Sequence, residues 1–188
     1  MNRRLSFFLS CLLAMVALPA SADVTGTVTV INGNTLEMQG QFIRLYGVDA
    51  LDRQQVCRNG NNRLWPCGQQ SIQALRQAIG GSPLRCEPLS RNNAGQIVAI
   101  CKRSGDDINA WMISRGWAVA DRTSTYDYLG AEQSAQSAGT GIWSSDFVMP
   151  ILWRNGKRLG APSTEETPSE NNLAPQEDWG PMPLNNGP

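Results

Sequence analysis

The chain has 188 residues, with 16 Lys and Arg against 16 Asp and Glu and no histidine. That length suits one domain with extensions, and the missing histidine excludes a Ser-His-Asp triad, a Cys-His pair, and zinc or haem held through imidazole. Charge is segregated: residues 1–22 hold only Arg3 and Arg4, residues 159–188 hold five carboxylates and no cation, and the stretch between keeps 14 basic against 11 acidic groups, a mild excess that suits an anionic ligand.

Residues 1–22 read as a signal peptide. Asn2-Arg3-Arg4 is a basic start, Leu5 to Leu18 is apolar, and Ala20-Ser21-Ala22 is a small-x-small cleavage site. The apolar run is shorter than the roughly 20 residues of a membrane span, so the expectation is cleavage after Ala22 and a periplasmic or secreted protein. Val24 to Val30 then alternates as a half-buried strand does. Asn32-Gly33 marks a turn, Leu36 to Met38 resumes extended character, and Phe42 to Val48 forms a third strand after Gly40. A turn-rich loop separates Cys57 from Cys67. Ile72, Leu75 and Ile79 stripe a helix over Gln69 to Ile79, ended by Gly80-Gly81. Leu84 to Leu89 and Ile97 to Lys102 flank a polar loop as a hairpin. Asp106 or Asp107 caps a helix whose Ile108, Trp111 and Met112 face inward, closed by Gly116, and a last helix runs from about Tyr128 to Ala138. Three strands, a helix, two strands, then helices match a mixed α+β, five-stranded Greek-key barrel with about three helices. This domain covers residues 23–158, and residues 159–188 read as a disordered acidic tail rich in Pro and Asn.

Four cysteines remain after the leader, an even number in a compartment that permits disulfides. If the hairpin is symmetric about Asn93 and Ala94, facing residues have numbers summing to 187, which sets Cys86 opposite Cys101. Cys57 then pairs with Cys67. The rival is a zinc site of four thiolates, but the short Cys-x-x-Cys knuckles of such sites are missing.

Val30-Ile31-Asn32-Gly33-Asn34-Thr35-Leu36 and Ile43-Arg44-Leu45-Tyr46-Gly47-Val48-Asp49-Ala50-Leu51-Asp52 resemble the staphylococcal-nuclease (thermonuclease) family. Trp65-Pro66-Cys67-Gly68, Asn109 through Gly116-Trp117-Ala118, and Gly141-Ile142-Trp143 extend the resemblance over about residues 24–154. It implies an OB-fold barrel and calcium-dependent hydrolysis of DNA and RNA phosphodiesters. It also assigns positions: the metal ligands fall on Asn34, Asp49 and the carbonyl of Ala50, the water-activating carboxylate on Asp52, and the two phosphate-neutralising positions on Arg44 and Gln96. Three of these depart from the family pattern. Asn34 replaces a charged calcium ligand, and calcium affinity depends on ligand charge count. Asp52 shortens the glutamate base by one methylene, and a misplacement of about 1 Å can cost roughly 100-fold. Gln96 replaces an arginine, where losing one transition-state donor costs about 10²–10³-fold. Asn93-Ala94 replaces a Lys-Tyr type pair, and Asp121 falls where the family commonly has tyrosine and would repel phosphate. Trp111, Trp117 and Trp143 read as packing residues rather than base-stacking platforms.

Two functions follow from this resemblance. The first is a binding module for nucleic acid or another anionic polymer, with weak or lost phosphodiesterase activity and a weakened calcium site. The second is a working calcium-dependent nuclease with an unusual site. A narrower alternative is an accessory role in exopolysaccharide (succinoglycan-type) production, as for some exported relatives.

Overall fold

The alternating residues after Ala22 serve two partners in succession, and that divides them. In the computed structural model, which describes residues 22–160, the expected first strand is two: β1 (Val24–Gly26) and β2 (Thr29–Asn32). They are followed by β3 (Thr35–Met38), β4 (Gln41–Leu45) and β5 (Val48–Ala50), the last two separated by a turn at Tyr46-Gly47 where a single strand is predicted. The Cys57–Cys67 segment carries two short strands, β6 (Cys57–Asn59) and β7 (Leu64–Trp65), in place of an irregular loop. Helix α1 (Cys67–Ile79) precedes the hairpin β8 (Leu84–Arg91) and β9 (Ile97–Arg103). The remainder comprises β10 (Asp106–Asp107), α2 (Ile108–Ser114), β11 (Ala118–Ala120), α3 (Leu129–Ala138), a 3-10 turn (Gly141–Ser144), β12 (Ser145–Asp146) and α4 (Pro150–Arg154). The signal-peptide and tail assignments fall mainly on residues 1–21 and 161–188, outside those described.

Helix ends follow their sequence signals. Gly80 adopts a left-handed conformation and donates its N–H to the Arg76 carbonyl, while the Asp107 carboxylate accepts from the Ala110 N–H at 3.0 Å. The third inward residue of α2 is Ile113, which is fully buried, whereas Trp111 is only partly buried against the core. Helix α4 carries no strong sequence signal beyond Pro150 at its first turn.

The sheet closes on itself. Its order is β1-β8-β9-β4-β3-β2, with β9 parallel to β4 (Ile43 beside Ile97) and the other neighbours along this path antiparallel. The two ends of that path, β1 and β2, are consecutive stretches of one bent strand separated by Thr27 and Val28. The ring therefore closes through the covalent chain, the five-stranded OB arrangement with its first strand shared between two neighbours. Inward residues Leu36, Met38, Ile43, Leu45, Leu84 and Ala99 meet Ile72 and Leu75 of α1 and Ile108 and Met112 of α2 in one core. A second cluster of Leu51, Trp65, Val119 and Ile142 surrounds the Cys57–Cys67 bridge. Among the described residues no helix is long and apolar enough to cross a membrane.

Both disulfides are as expected, Cys57–Cys67 and Cys86–Cys101. The hairpin keeps its pairing sum of 187 from Arg85 opposite Lys102 to Pro88 opposite Ala99, and a bulge at Leu89 then shifts the register by one. Peptide maps of unreduced protein are expected to contain these two linked pairs and no crossed ones. Replacing Cys86 and Cys101 together by Ser removes a bridge closing a 15-residue separation, and urea unfolding is expected to register a loss of about 3 kcal/mol.

Candidate functional site

The β2–β3 turn delivers Asn34 to the barrel wall. The Asn32 side chain accepts the Asn34 N–H at 3.0 Å, a local turn that asparagine makes readily. Gly33 lets this turn lie flat on its neighbours: a Cβ there would come within 2.7 Å of both Ala50 Cβ and Ser71 Oγ. Asn34 itself is buried, with both ends of its amide committed. Its Nδ2 donates to the Val48 carbonyl at 2.9 Å, and its Oδ1 accepts from Thr35 Oγ1 at 3.2 Å. An aspartate at this position has no N–H to offer that carbonyl, so the amide is a structural tie between the β2–β3 turn and β5.

Strand β5 holds Asp49 and Ala50 in antiparallel register with β11, Asp49 facing Val119. The chain then turns through Leu51 and Asp52. The turn is closed by Gln55, whose N–H donates to the Asp52 carbonyl and whose fully buried side chain donates to Val148. It lies hard against the start of α1, where a Cβ on Gly68 would fall 1.8 Å from the Asp52 carbonyl oxygen. Asn34, Asp49, Ala50 and Asp52 are thereby brought to one place by three separate elements.

The sequence reading missed the residue that dominates this place. Arg154, the last residue of α4, directs its Nη2 to both Asp49 oxygens, at 2.8 and 3.0 Å, and its Nη1 lies 3.7 Å from Asp52 Oδ2. The Asp49 side chain retains 11% of its surface in solvent and that of Arg154 37%. Burial raises the Asp49 carboxyl above its ordinary value of 3.8, outweighing the pull of Arg154 and, more weakly, of Arg44. The pair therefore lies between an exposed ion pair, worth about 0–1 kcal/mol, and a buried one, whose disruption costs about 3–5 kcal/mol. A separation of 105 residues leaves no local signal for it.

Arg44 stands on the outward side of β4, opposite Thr35 and beside Val98, and its guanidinium makes no hydrogen bond or salt bridge among the described residues. Its charge is felt at both Asp49 and Asp121. Asp121 follows β11, as expected near the site, and its carboxylate is internally satisfied: it accepts from the Thr123 N–H, from Thr123 Oγ1 at 2.6 Å and from Ser124 Oγ at 2.7 Å. Partial burial alone would raise its pKa, but these hydrogen bonds, with the field of Arg44, leave it below the ordinary value. Gln96 is turned to its own hairpin, where its Oε1 accepts from Asn92 Nδ2 at 2.8 Å. Trp111, Trp117 and Trp143 each pack, partly buried, against one or both apolar clusters, in line with a packing role.

This donor set does not match calcium, which takes six to eight oxygens at about 2.3–2.6 Å. Both Asp49 oxygens already accept from a guanidinium, the Asn34 oxygen accepts from a hydroxyl, and no group of three acidic, cysteine or histidine side chains suited to a metal occurs among the described residues.

Comparison with known proteins gives a consistent picture. A family model described as staphylococcal nuclease homologue matches residues 42–145. The chain is 36% identical over 165 residues, covering 86% of each protein, to the succinoglycan biosynthesis protein ExoI of Rhizobium meliloti (strain 1021). It is 25% identical over 186 residues, covering 93% of this chain and 98% of the relative, to an uncharacterized endonuclease of Haemophilus influenzae. A probable endonuclease LCL3 of Yarrowia lipolytica is 36% identical over 92 residues, 47% of this chain and 39% of its own. Asn34 and Arg154 both lie outside the stretch that the family model matches.

The Asp121 geometry carries a pH dependence. A carboxylate whose folded pKa is depressed adds stability above its unfolded value of 3.8, and that stability is lost as pH falls through the folded value. Asp121→Asn is expected to unfold more readily than the parent at pH 7. The deficit shrinks as pH falls below about 3.8, where the parent carboxylate protonates. Equal deficits at pH 7 and pH 3 in denaturant titrations would contradict this.

Proposed function

Because the chain belongs to the staphylococcal nuclease homologue family, we propose that it is a member with weak or lost phosphodiester hydrolysis that binds an anionic polymer outside the cytosol. The observation that carries the reading is the state of the charge-bearing positions. Gln96 and Asn34 are neutral amides held by hydrogen bonds within the fold, and Asp49 is neutralised by Arg154. Arg44 is then the one assigned phosphate-neutralising position that keeps a guanidinium, and no hydrogen bond or salt bridge among the described residues engages it. One guanidinium can hold a phosphate or carboxylate on the outer face of β4, but the second donor that would strengthen as charge builds in a transition state is missing, a loss worth about 10²–10³-fold in rate. Asp52, shorter than the family's base and lying 3.7 Å from the Arg154 guanidinium, adds to that loss.

Two disulfides support a location in an oxidising compartment, and the leader-like residues 1–22 support export to the periplasm or beyond. The similarity to a succinoglycan biosynthesis protein favours an exopolysaccharide as the polymer over nucleic acid, because that relative is 36% identical over most of both chains, against 25% for the endonuclease relative that aligns end to end.

The mature protein is expected to leave single-stranded DNA essentially uncut in a sensitive assay with calcium. It is expected to retain an acidic polysaccharide or DNA in a salt-dependent manner, as charge-driven association requires. Arg44→Gln is expected to weaken that retention by about tenfold, the scale of one charge-assisted contact. Rapid calcium-dependent cleavage by the unaltered protein would favour the working nuclease instead.

A further inference from the structure

We infer that Arg154 is the resident cation of this domain: its guanidinium takes the charge-neutralising role that a divalent ion holds elsewhere in the family, so that Asp49 and Asp52 fasten α4 to the barrel instead of ligating metal. The inference uses the family reading for the position of the site, but it does not depend on polymer binding.

Three observations converge on it. Arg154 bridges two carboxylates, with Nη2 on both oxygens of Asp49 and Nη1 3.7 Å from Asp52 Oδ2, an atom with no hydrogen-bond partner. Bridging carboxylates from two segments is what a cation does in an all-oxygen site. Asn34, the remaining side chain of the set, is committed within the fold: its Nδ2 donates to the Val48 carbonyl and its Oδ1 accepts from Thr35 Oγ1, so the oxygen it could offer a metal already has a partner. Arg154 is also held in readiness. Arg158 stacks 3.8 Å over the Trp153 ring and donates to the Trp153 carbonyl at 2.8 Å, which caps the end of the short helix from which Arg154 projects.

The chemistry of the exchange is one-sided. A guanidinium stays charged at any pH the fold survives, and being covalently attached it needs no free ion, so the buried Asp49 is neutralised at every calcium concentration. A calcium ion would have to displace Nη2 from both Asp49 oxygens and would find one ionised ligand fewer than the family pattern provides. Arg44 of β4 and Asp121 of the segment after β11 act on Asp49 with opposite charges and more weakly than Arg154, so Arg154 is the main charge that opposes the burial of this carboxylate.

The test uses the mature protein, with CaCl2 and guanidinium chloride as probes. About 10 mM CaCl2, above the range of about 10⁻⁴–10⁻³ M for weak extracellular sites, is expected to leave the melting temperature of the parent, of Asn34→Asp and of Arg154→Lys unchanged. The double variant Asn34→Asp, Arg154→Gln is expected to bind calcium at least about tenfold more tightly than Asn34→Asp alone by calorimetry. Arg154→Ala is expected to melt lower than the parent and to recover in about 20–50 mM guanidinium chloride but not in equal NaCl, below the concentrations at which guanidinium denatures. Stabilisation of the parent or of Arg154→Lys by calcium overturns the inference, and these two arms decide even if Arg154→Ala does not fold. So does equal calcium affinity in the single and double variants, or recovery no better with guanidinium than with sodium. DNA cleavage without any calcium response would overturn the functional reading above and leave this one standing.

Discussion

A carboxylate set into a barrel wall, with little contact with water, must meet a cation or give up its charge. In this domain that constraint falls on Asp49, and the site is arranged around its resolution. Arg154 reaches it from 105 residues further along the chain, Arg44 lies within its field from β4, and the amide of Asn34 ties the adjoining turn to β5. What resembles a depleted nuclease site in sequence is, in three dimensions, a polar cluster in which Asn34, Asp49 and Gln96 all have partners within the fold. The missing charges do not leave gaps, because each neutral residue has found a partner within the fold.

The same network couples positions that look independent in sequence. Once a guanidinium occupies the carboxylates, a charged residue at position 34 would confront the Val48 carbonyl with no ion between them. Change at one position alters what is tolerable at the others, as expected for groups in one hydrogen-bonded cluster.

The parts of this arrangement that depend on local pattern were legible. Alternation, turn residues and the symmetry of the Leu84–Arg103 hairpin located the barrel strands, and the pairing of Cys86 with Cys101 followed from counting across a loop. Asp107 and Gly80 announced helix ends by side-chain chemistry and by backbone conformation. Long-range information was not legible. Nothing near Thr27 indicates that the strand must bend to serve β8 and β3, and nothing near Arg154 indicates a partner 105 residues away. Family resemblance singled out Asn34, Asp49 and Asp52, but a pattern carried over residue by residue is silent about a cation arriving from outside it. Glu132 was missed for the same reason: fully enclosed, it accepts from the Ala120 N–H and from Arg122, joining α3 to β11.

The β8–β9 hairpin occupies a particular place in the order of assembly. It borders β1 on one edge and β4 on the other, and both partners lie far from it along the chain, with Val24 beside Cys86 and Ile43 beside Ile97. Pairings of such sequence separation are slow because loop-closure entropy is lost before contacts compensate it. The bridge between Cys86 and Cys101 joins residues directly opposite within the hairpin itself. A chain emerging unfolded into an oxidising space can therefore complete this one two-stranded piece locally, and hold it ready as a template on which the distant strands dock. In a reducing space the template would have to persist on hairpin contacts alone, which are marginal in water. The Cys86–Cys101 bond thus couples the redox chemistry of two side chains to the order in which the strands of the barrel can pair.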